Sequence, residues 1–247
     1  MDFVLHQAAL PSVPRSVADP ITSNAVNITG TLNMLEAARR EGVNRFVIAS
    51  SSSVYGESEE LPKHEKMIPS PLSPYAVNKI TDEYYCRVYW GLYQLPTVCL
   101  RYFNVFGPRQ DPKSEYAAVI PRFITALQTG KRPTVYGDGG QSRDFTYVEN
   151  AVNANILASE TDSMSGGVFN CACGAQYTLN QLLDKLRKII GSELQAHYDP
   201  PRAGDIRHSF AAVDKIKKQG FKVTVDFEEG LKRTVAFFAG QPVSKVR

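Results

Sequence analysis

Arg45-Phe46-Val47-Ile48-Ala49 is apolar without alternation and runs directly into four serines, Ser50 to Ser53. A strand with apolar side chains on both faces must be covered on both, which is the situation of a parallel sheet flanked by helices. Comparable runs stand at Asp2 to Ala9, where Phe3, Val4 and Leu5 lead into the small-residue turn His6-Gln7-Ala8-Ala9, at Thr97 to Tyr102 and at Val168 to Cys171. Stretches of helical period separate them. From Asn24 to Glu41, Ile28, Leu32 and Leu35 recur on one face, and Gly42 supplies a left-handed stop. A second helix opens at Ser73-Pro74, with Ser73 as N-cap and Pro74 in the first turn, and passes through Ile80, Tyr84 and Val88. This alternation predicts an α/β fold on a doubly wound parallel sheet.

Beyond Asn104-Val105-Phe106-Gly107-Pro108 the chain is richer in Gly and Pro and less regular. Helices are expected at Val119 to Thr129, Val148 to Ser159, Leu179 to Ile190 and Phe227 to Phe238, with a short strand at Thr134 to Tyr136 and a loop from Asp199 to His208. These later segments predict a second, smaller lobe, and 247 residues suffice for a large domain with such a companion. A hydrophobic fraction of 43% with 21% charged residues is that of a folded globular chain. The net charge of +3 is spread without a basic block, so nucleic acid is not expected as a partner. No apolar run approaches the roughly 18 residues of a membrane span, and no basic start is followed by an apolar stretch, so a soluble cytoplasmic protein is expected. Cys86, Cys99, Cys171 and Cys173, like the scattered histidines, lack metal-ligand spacing; the cysteines read as reduced core residues, and no metal is expected.

Position gives the serine run its weight. Ligands of open α/β sheets bind beyond the carboxyl ends of the strands, and Ser50 to Ser53 stand at such an end. Further on, Tyr75-Ala76-Val77-Asn78-Lys79 puts a phenol and an ammonium on one face of the helix that Ser73 begins. The pair alone is weak evidence, since 12 Tyr and the lysines of this chain yield roughly 0.6 such pairs by chance. Hydroxyl, phenol and ammonium gathered at one strand end are the parts of a proton-transfer site. For a phenol to act as a base its pKa must fall from about 10 to about 7, roughly 4 kcal/mol. A positive charge about 4 Å away at an effective dielectric of about 20 supplies about that much, so Lys79 helped by a cationic cofactor ring suffices.

With these residues in view, the chain resembles the extended short-chain dehydrogenase/reductase superfamily, in particular its NAD-dependent sugar-nucleotide epimerase/dehydratase group. The likeness rests on His6-Gln7-Ala8-Ala9, Ser51-Ser52-Ser53-Val54-Tyr55-Gly56, the Tyr75 and Lys79 pair, Arg101 through Pro108, Val135-Tyr136-Gly137-Asp138-Gly139, Arg143-Asp144-Phe145 and Arg202 through Asp205. They occur in family order across nearly the whole chain. Leu10-Pro11-Ser12-Val13-Pro14-Arg15-Ser16 and Arg207-His208-Ser209 look most like the bacterial branch that epimerises UDP-N-acetylglucosamine in polysaccharide synthesis.

The resemblance implies a Rossmann-like nucleotide-binding core in residues 1–107 and 145–173 and a smaller α/β UDP-sugar-binding lobe in residues 108–144 and 174–247. It implies NAD as cofactor and 4-epimerisation of a UDP-hexose, UDP-N-acetylglucosamine or UDP-N-acetylgalactosamine, through a 4-keto intermediate. Tyr75 becomes the catalytic base, Lys79 the group that lowers its pKa and holds the nicotinamide ribose, and Ser51 the relay to the substrate hydroxyl. His6, Ala8, Ala9 and Tyr102 join Tyr75 and Lys79 around the cofactor. Ser52 and Ser53 border the sugar, Asn104, Arg143 and Arg202 clamp the diphosphate, Val119 and Tyr136 wall the uridine, and Asp205 and Ser209 complete the substrate site.

Departures from sister activities narrow the reaction. The 4,6-dehydratases carry Asp-Glu where Ser52 and Ser53 stand, the uronate decarboxylases keep a Glu at the place of Ser53, and uronate 4-epimerases show Thr in place of Asn104. Ser209 falls where a bulky Tyr restricts glucose/galactose epimerases, which leaves room for an N-acetyl group. The family's Gly-x-x-Gly-x-x-Gly turn is not in the sequence, and the likeness begins at what should be the fourth strand. The expected sheet is therefore incomplete, short of two to three βα units of about 30 residues each. That keeps open a non-catalytic remnant that binds UDP-sugar, or another sugar-nucleotide enzyme of the family such as a dehydratase, decarboxylase or reductase. Family members commonly dimerise through a four-helix bundle that includes the Tyr–Lys helix and the helix at Asn24 to Glu41, so a homodimer is implied.

Overall fold

The computed structural model describes residues 1–111, 118–201 and 207–240. Strand β1 (Phe3–His6) is followed by helices α1 (Val13–Ala18) and α2 (Pro20–Asn24), a π turn at Ala25–Thr29, and α3 (Gly30–Arg40). Helical structure thus begins well before Asn24, where the sequence reading placed it. The cause is local: the Ser12 hydroxyl accepts from the Arg15 N–H at 3.2 Å and Asp19 Oδ1 from the Thr22 N–H at 3.0 Å, and each capped first turn contains a proline, Pro14 and Pro20. After Gly42, at φ +63°, comes β2 (Arg45–Ser51), which takes in Ser50 and Ser51. Helix α4 (Pro74–Tyr93) begins as expected, with the Ser73 hydroxyl accepting from the Ala76 N–H at 3.2 Å. Of the residues that marked its period, Ile80 is buried, whereas Tyr84 and Val88 are exposed. Strand β3 (Thr97–Tyr102) follows.

The later segments are β4 (Val105–Phe106), α5 (Val119–Gln128), β5 (Thr134–Tyr136), β6 (Ser142–Arg143), β7 (Thr146–Tyr147), α6 (Val148–Glu160), β8 (Gly167–Cys171), β9 (Tyr177–Thr178), α7 (Leu179–Ile190), β10 (His197–Asp199), β11 (His208–Ser209), α8 (Asp214–Lys217) and α9 (Phe227–Phe238). A reciprocal cap fixes the start of α7: the Thr178 hydroxyl accepts from the Gln181 N–H, and the Gln181 side chain accepts from the Thr178 N–H.

Strands β1, β2, β3 and β8 form a parallel sheet of Rossmann type in that order. In β2, Phe46 and Ile48 pack with Leu35 and Ala38 of α3 and Cys86 and Tyr89 of α4, while Val47 belongs to the opposite cluster with Ala151, Ala154 and Ala158 of α6. Burial on both faces is why the strand shows no alternation. Ala211, Val213, Ile216 and Phe221 pack with the α6 side of the sheet. A separate core of Phe106, Ile124, Phe145, Leu183, Phe227 and Leu231 joins α5, α7 and α9. Short pairings, β4 with β7, β5 with β10, and β6 between β11 and β9, lie outside this sheet. Cys86, Cys99 and Cys171 are buried and Cys173 is half-buried. Among the described residues no helix is long and apolar enough to cross a membrane.

Candidate active site

Parallel pairing brings the carboxyl ends of β1, β2, β3 and β8 to one edge of the sheet. There the four serines divide. Ser50 is buried and donates to Glu83 Oε1 on α4. Ser51 serves the other side: its hydroxyl accepts from the Ser53 N–H at 3.1 Å and meets the phenol of Tyr75. Ser52 is half-buried in the turn that follows, and the buried hydroxyl of Ser53 has no hydrogen-bond partner among the described residues.

Tyr75 and Lys79 lie one turn apart near the start of α4. The Tyr75 N–H donates to the Ser16 hydroxyl at 3.0 Å, so α1 braces this end of the helix. Burial pushes the Tyr75 phenol above its usual pKa; the Ser51 hydroxyl pulls it back, and the charge of Asp82 pushes it further up. Lys79 is buried and its ammonium pairs with Asp82 at 3.4 Å. The Asp82 carboxyl, fully buried, is pushed up to about 7 by desolvation against the pull of Lys79. The resemblance implied Tyr75 and the nicotinamide ribose as partners of Lys79; the structure adds Asp82 as a counter-ion.

His6 ends β1 with its ring Nε2 3.0 Å from the Thr31 hydroxyl. Burial, and then the charge of Lys79, hold the imidazole below its usual pKa and so favour its neutral form. Ala8 is exposed and Ala9 half-buried just beyond it. The Tyr102 hydroxyl donates to Gln7 Oε1 at 3.0 Å and accepts from Asn155 Nδ2 at 2.6 Å, and burial raises its pKa. Below this edge the Leu10 N–H donates to Asn27 Oδ1 at 2.7 Å, and Asn27 and Ser23 both donate to Asn78 Oδ1. That buried knot holds the segment after β1 against α4, next to Lys79. Gln7, Asn27, Asn78, Asp82 and Asn155 all escaped the sequence reading; amides at 27 and 78 inside otherwise amphipathic helices were the available signal.

A second group of expected residues lines a cavity of about 260 Å³: Asn104, Val119, Tyr136 and Arg143, together with Phe106, Arg122 and Gln141. Asn104 sits just past β3 at φ +35° and donates from its amide to the Asp144 carbonyl at 3.1 Å. Arg143 in β6 pairs in register with Ser209 in β11, and the buried Ser209 accepts through its carbonyl from the Asp144 N–H at 2.9 Å. The Asp144 carboxylate accepts from the N–H groups of Cys173, Gly174 and Ala211, which fixes this corner; burial raises its pKa to about 6 despite them. Arg202 and Asp205 lie outside the described residues.

A family model described as the NAD dependent epimerase/dehydratase family matches residues 1–172. The putative UDP-glucose 4-epimerase of Methanocaldococcus jannaschii is 38% identical over 236 residues, 95% of this chain and 76% of that protein. Among solved structures, a UDP-N-acetylglucosamine 4-epimerase from Methanobrevibacter ruminantium in complex with UDP-N-acetylmuramic acid superposes with a TM-score of 0.94 at 44% identity, covering 97% of this chain and 77% of that one. The UDP-glucose 4-epimerase of Thermus thermophilus in complex with NAD gives a TM-score of 0.89 at 38% identity, covering 96% of this chain and 78% of its own. The chain belongs to the NAD dependent epimerase/dehydratase family.

Proposed function

We propose that the protein is an NAD-dependent 4-epimerase of UDP-N-acetylhexosamines. The observation that carries this reading is the Ser51 hydroxyl against the Tyr75 phenol at the carboxyl edge of the parallel sheet, with buried Lys79 one helical turn further along α4. From the same edge the chain passes through Asn104 into the cavity that Arg143 and Tyr136 line.

The donor set suits the nicotinamide and ribose end of NAD. His6 favours its neutral form, Ala8 and Ala9 are small residues at the strand end, Tyr102 presents a protonated phenol, and Lys79 supplies a cation. When bound, NAD supplies the acceptor for the C4 hydride and its donor on return. Tyr75 takes the proton from the C4 hydroxyl as the ketone forms and gives it back after the sugar turns over. Ser51, in contact with the phenol, holds the C4 oxygen in line. The electrostatic work on Tyr75 falls to Lys79 and the cofactor ring, since burial opposes ionisation of the phenol. For the sugar to expose its other face the nucleotide must stay fixed, a task this reading gives to Arg143 and Asn104 on the diphosphate and Val119 and Tyr136 beside the uridine; that the four line one cavity supports it. Residues 1–107 and 145–173 thus serve the cofactor, and 108–144 and 174–247 the UDP-sugar.

Substrate choice rests on Ser209, buried beside Arg143 in the β6–β11 pair, where a small side chain leaves space for an N-acetyl group. Ser52 and Ser53 stand where a dehydratase needs its acid and base, which argues against elimination. The test is to follow UDP-N-acetylglucosamine, UDP-glucose and UDP-glucuronate by NMR with the protein and NAD. Interconversion of the N-acetylhexosamines, lost on Tyr75→Phe, is expected; turnover of UDP-glucose with UDP-N-acetylglucosamine untouched overturns the assignment. The apolar stripe on the exposed side of α4 supports a homodimer.

A further inference from the structure

The pairing of Lys79 with Asp82 has no part in the proton transfer just described. The two side chains keep 2% and 0% of their exposure and meet at 3.4 Å, while Asp82 Oδ1 finds no hydrogen-bond donor among the described residues. A carboxylate buried this deeply is costly, and Lys79 is the one cation that offsets its charge among the described residues. Asp82 lies three residues after Lys79 and seven after Tyr75, so all three share one face of α4.

The charges around Asp82 leave Lys79 as its counter-ion. On α4 the neighbouring Glu83 is held by Arg101 of β3 at 2.9 and 2.7 Å. From α3, the Thr31 hydroxyl serves both Asp82 and His6 of β1, and burial, then the charge of Lys79, lower the His6 pKa and disfavour a second cation there. Tyr75 is the remaining titratable group that feels Asp82.

We propose that Asp82 is a positioning residue for the Tyr75–Lys79 pair: its carboxylate fixes the Lys79 ammonium and takes up part of its charge, and so sets how readily Tyr75 ionises. The inference rests on the reading of Tyr75 as the base. It gives the buried carboxylate a use that a purely structural role does not. With Asp82 protonated the full Lys79 charge acts on the phenol; with Asp82 ionised the pair is neutral and the phenol holds its proton more tightly.

The test titrates Tyr75 directly, in the full chain without nucleotide, as the difference in near-ultraviolet tyrosinate absorbance between a protein and its Tyr75→Phe counterpart. It is run with Asp82 intact and with Asp82→Asn. Removing the negative charge is expected to lower the apparent pKa of Tyr75 by about one unit, and to move the acid limb of kcat/KM to lower pH by the same amount. Asp82→Ser is the second variant should Asp82→Asn lose its fold. An unchanged or raised Tyr75 pKa overturns the proposal, as does loss of the fold with both replacements, which makes Asp82 a structural ion-pair partner. Because the absorbance titration needs no turnover, absence of epimerase activity overturns the functional reading and leaves this result standing on its own.

Discussion

Glu83 of α4 holds Arg101 of β3 with both carboxylate oxygens, at 2.9 Å to Nε and 2.7 Å to Nη2, and both side chains are buried. Ser50 donates to the same carboxylate, and the guanidinium lies 4.7 Å over the ring of Tyr55, whose hydroxyl donates to Asn170 of β8. One ion pair therefore ties β2, β3 and α4 together directly behind Ser51 and Lys79. Breaking a buried pair strands a charge, which costs about 3 to 5 kcal/mol, whereas replacing both members by apolar residues is close to neutral. Glu83→Ala is expected to lower the urea unfolding free energy by that amount, and Glu83→Leu with Arg101→Met to recover most of it. A double variant as weak as the single one contradicts this account.

Asp144 makes the stability of the site corner depend on pH. Its carboxyl is raised from 3.8 to about 6 in the folded chain by burial, so folding favours the protonated form. The stabilisation is complete below about pH 4 and is lost as pH rises through about 6, a change of roughly 3 kcal/mol for about two units. The measurement is unfolding free energy at pH 4.5 and 7 for the parent chain and Asp144→Asn. The parent's value relative to the variant is expected to fall across that interval, and a rise would mean that the three backbone N–H donors outweigh burial.

Much of this architecture was legible because its causes are local. The run Phe46-Val47-Ile48 announced two-sided burial, Ser73-Pro74 announced the start of α4, and the Thr178–Gln181 cap lies where the expected helix from Leu179 begins. Gly56 was visible as the end of a motif, but its reason is structural: at φ +61° a Cβ would lie 1.8 Å from the Ser70 carbonyl oxygen. What stayed hidden depends on contacts distant in sequence. Asn27 reaches Asn78 across 51 residues, and Gln7 reaches Asn155 across 148. The spacing of Lys79 and Asp82 was readable, but their common burial was not, because Tyr84 and Val88 drew the apolar face of α4 toward what is its exposed side.

Ser209 gives the substrate reading a single-residue test. It is 9% exposed, and its strand partner Arg143 lines the cavity. Ser209→Tyr adds a ring where the proposed function puts the N-acetyl group. Steric exclusion of one substituent is worth about 1 to 3 kcal/mol, so kcat/KM for UDP-N-acetylglucosamine is expected to fall about 10- to 200-fold, with UDP-glucose affected far less. Equal losses on both substrates would place Ser209 away from the acetyl group.

The last prediction concerns α4 as an interface. Val77, Tyr84, Val88 and Leu92 are 45, 56, 47 and 72% exposed, and their spacing puts them along one side of the helix whose opposite face holds Lys79 and Glu83. Val26 in the π turn and Met34 on α3, at 41 and 40%, add apolar surface from the neighbouring helical segment, which packs against α4. The homodimer proposed above accounts for an apolar stripe of this length, since pairing two copies through α3 and α4 would bury it without altering the buried face. In sedimentation equilibrium the parent is expected at twice the chain mass, and Tyr84→Glu with Val88→Glu at the chain mass with unchanged far-ultraviolet circular dichroism. A parent that sediments as a monomer rules the interface out. In such a dimer each α4 is clamped on both sides, so dissociation is expected to loosen the Tyr75–Lys79 turn and lower kcat more than it raises KM for the UDP-sugar, whose proposed nucleotide contacts at Val119, Tyr136 and Arg143 lie away from α4.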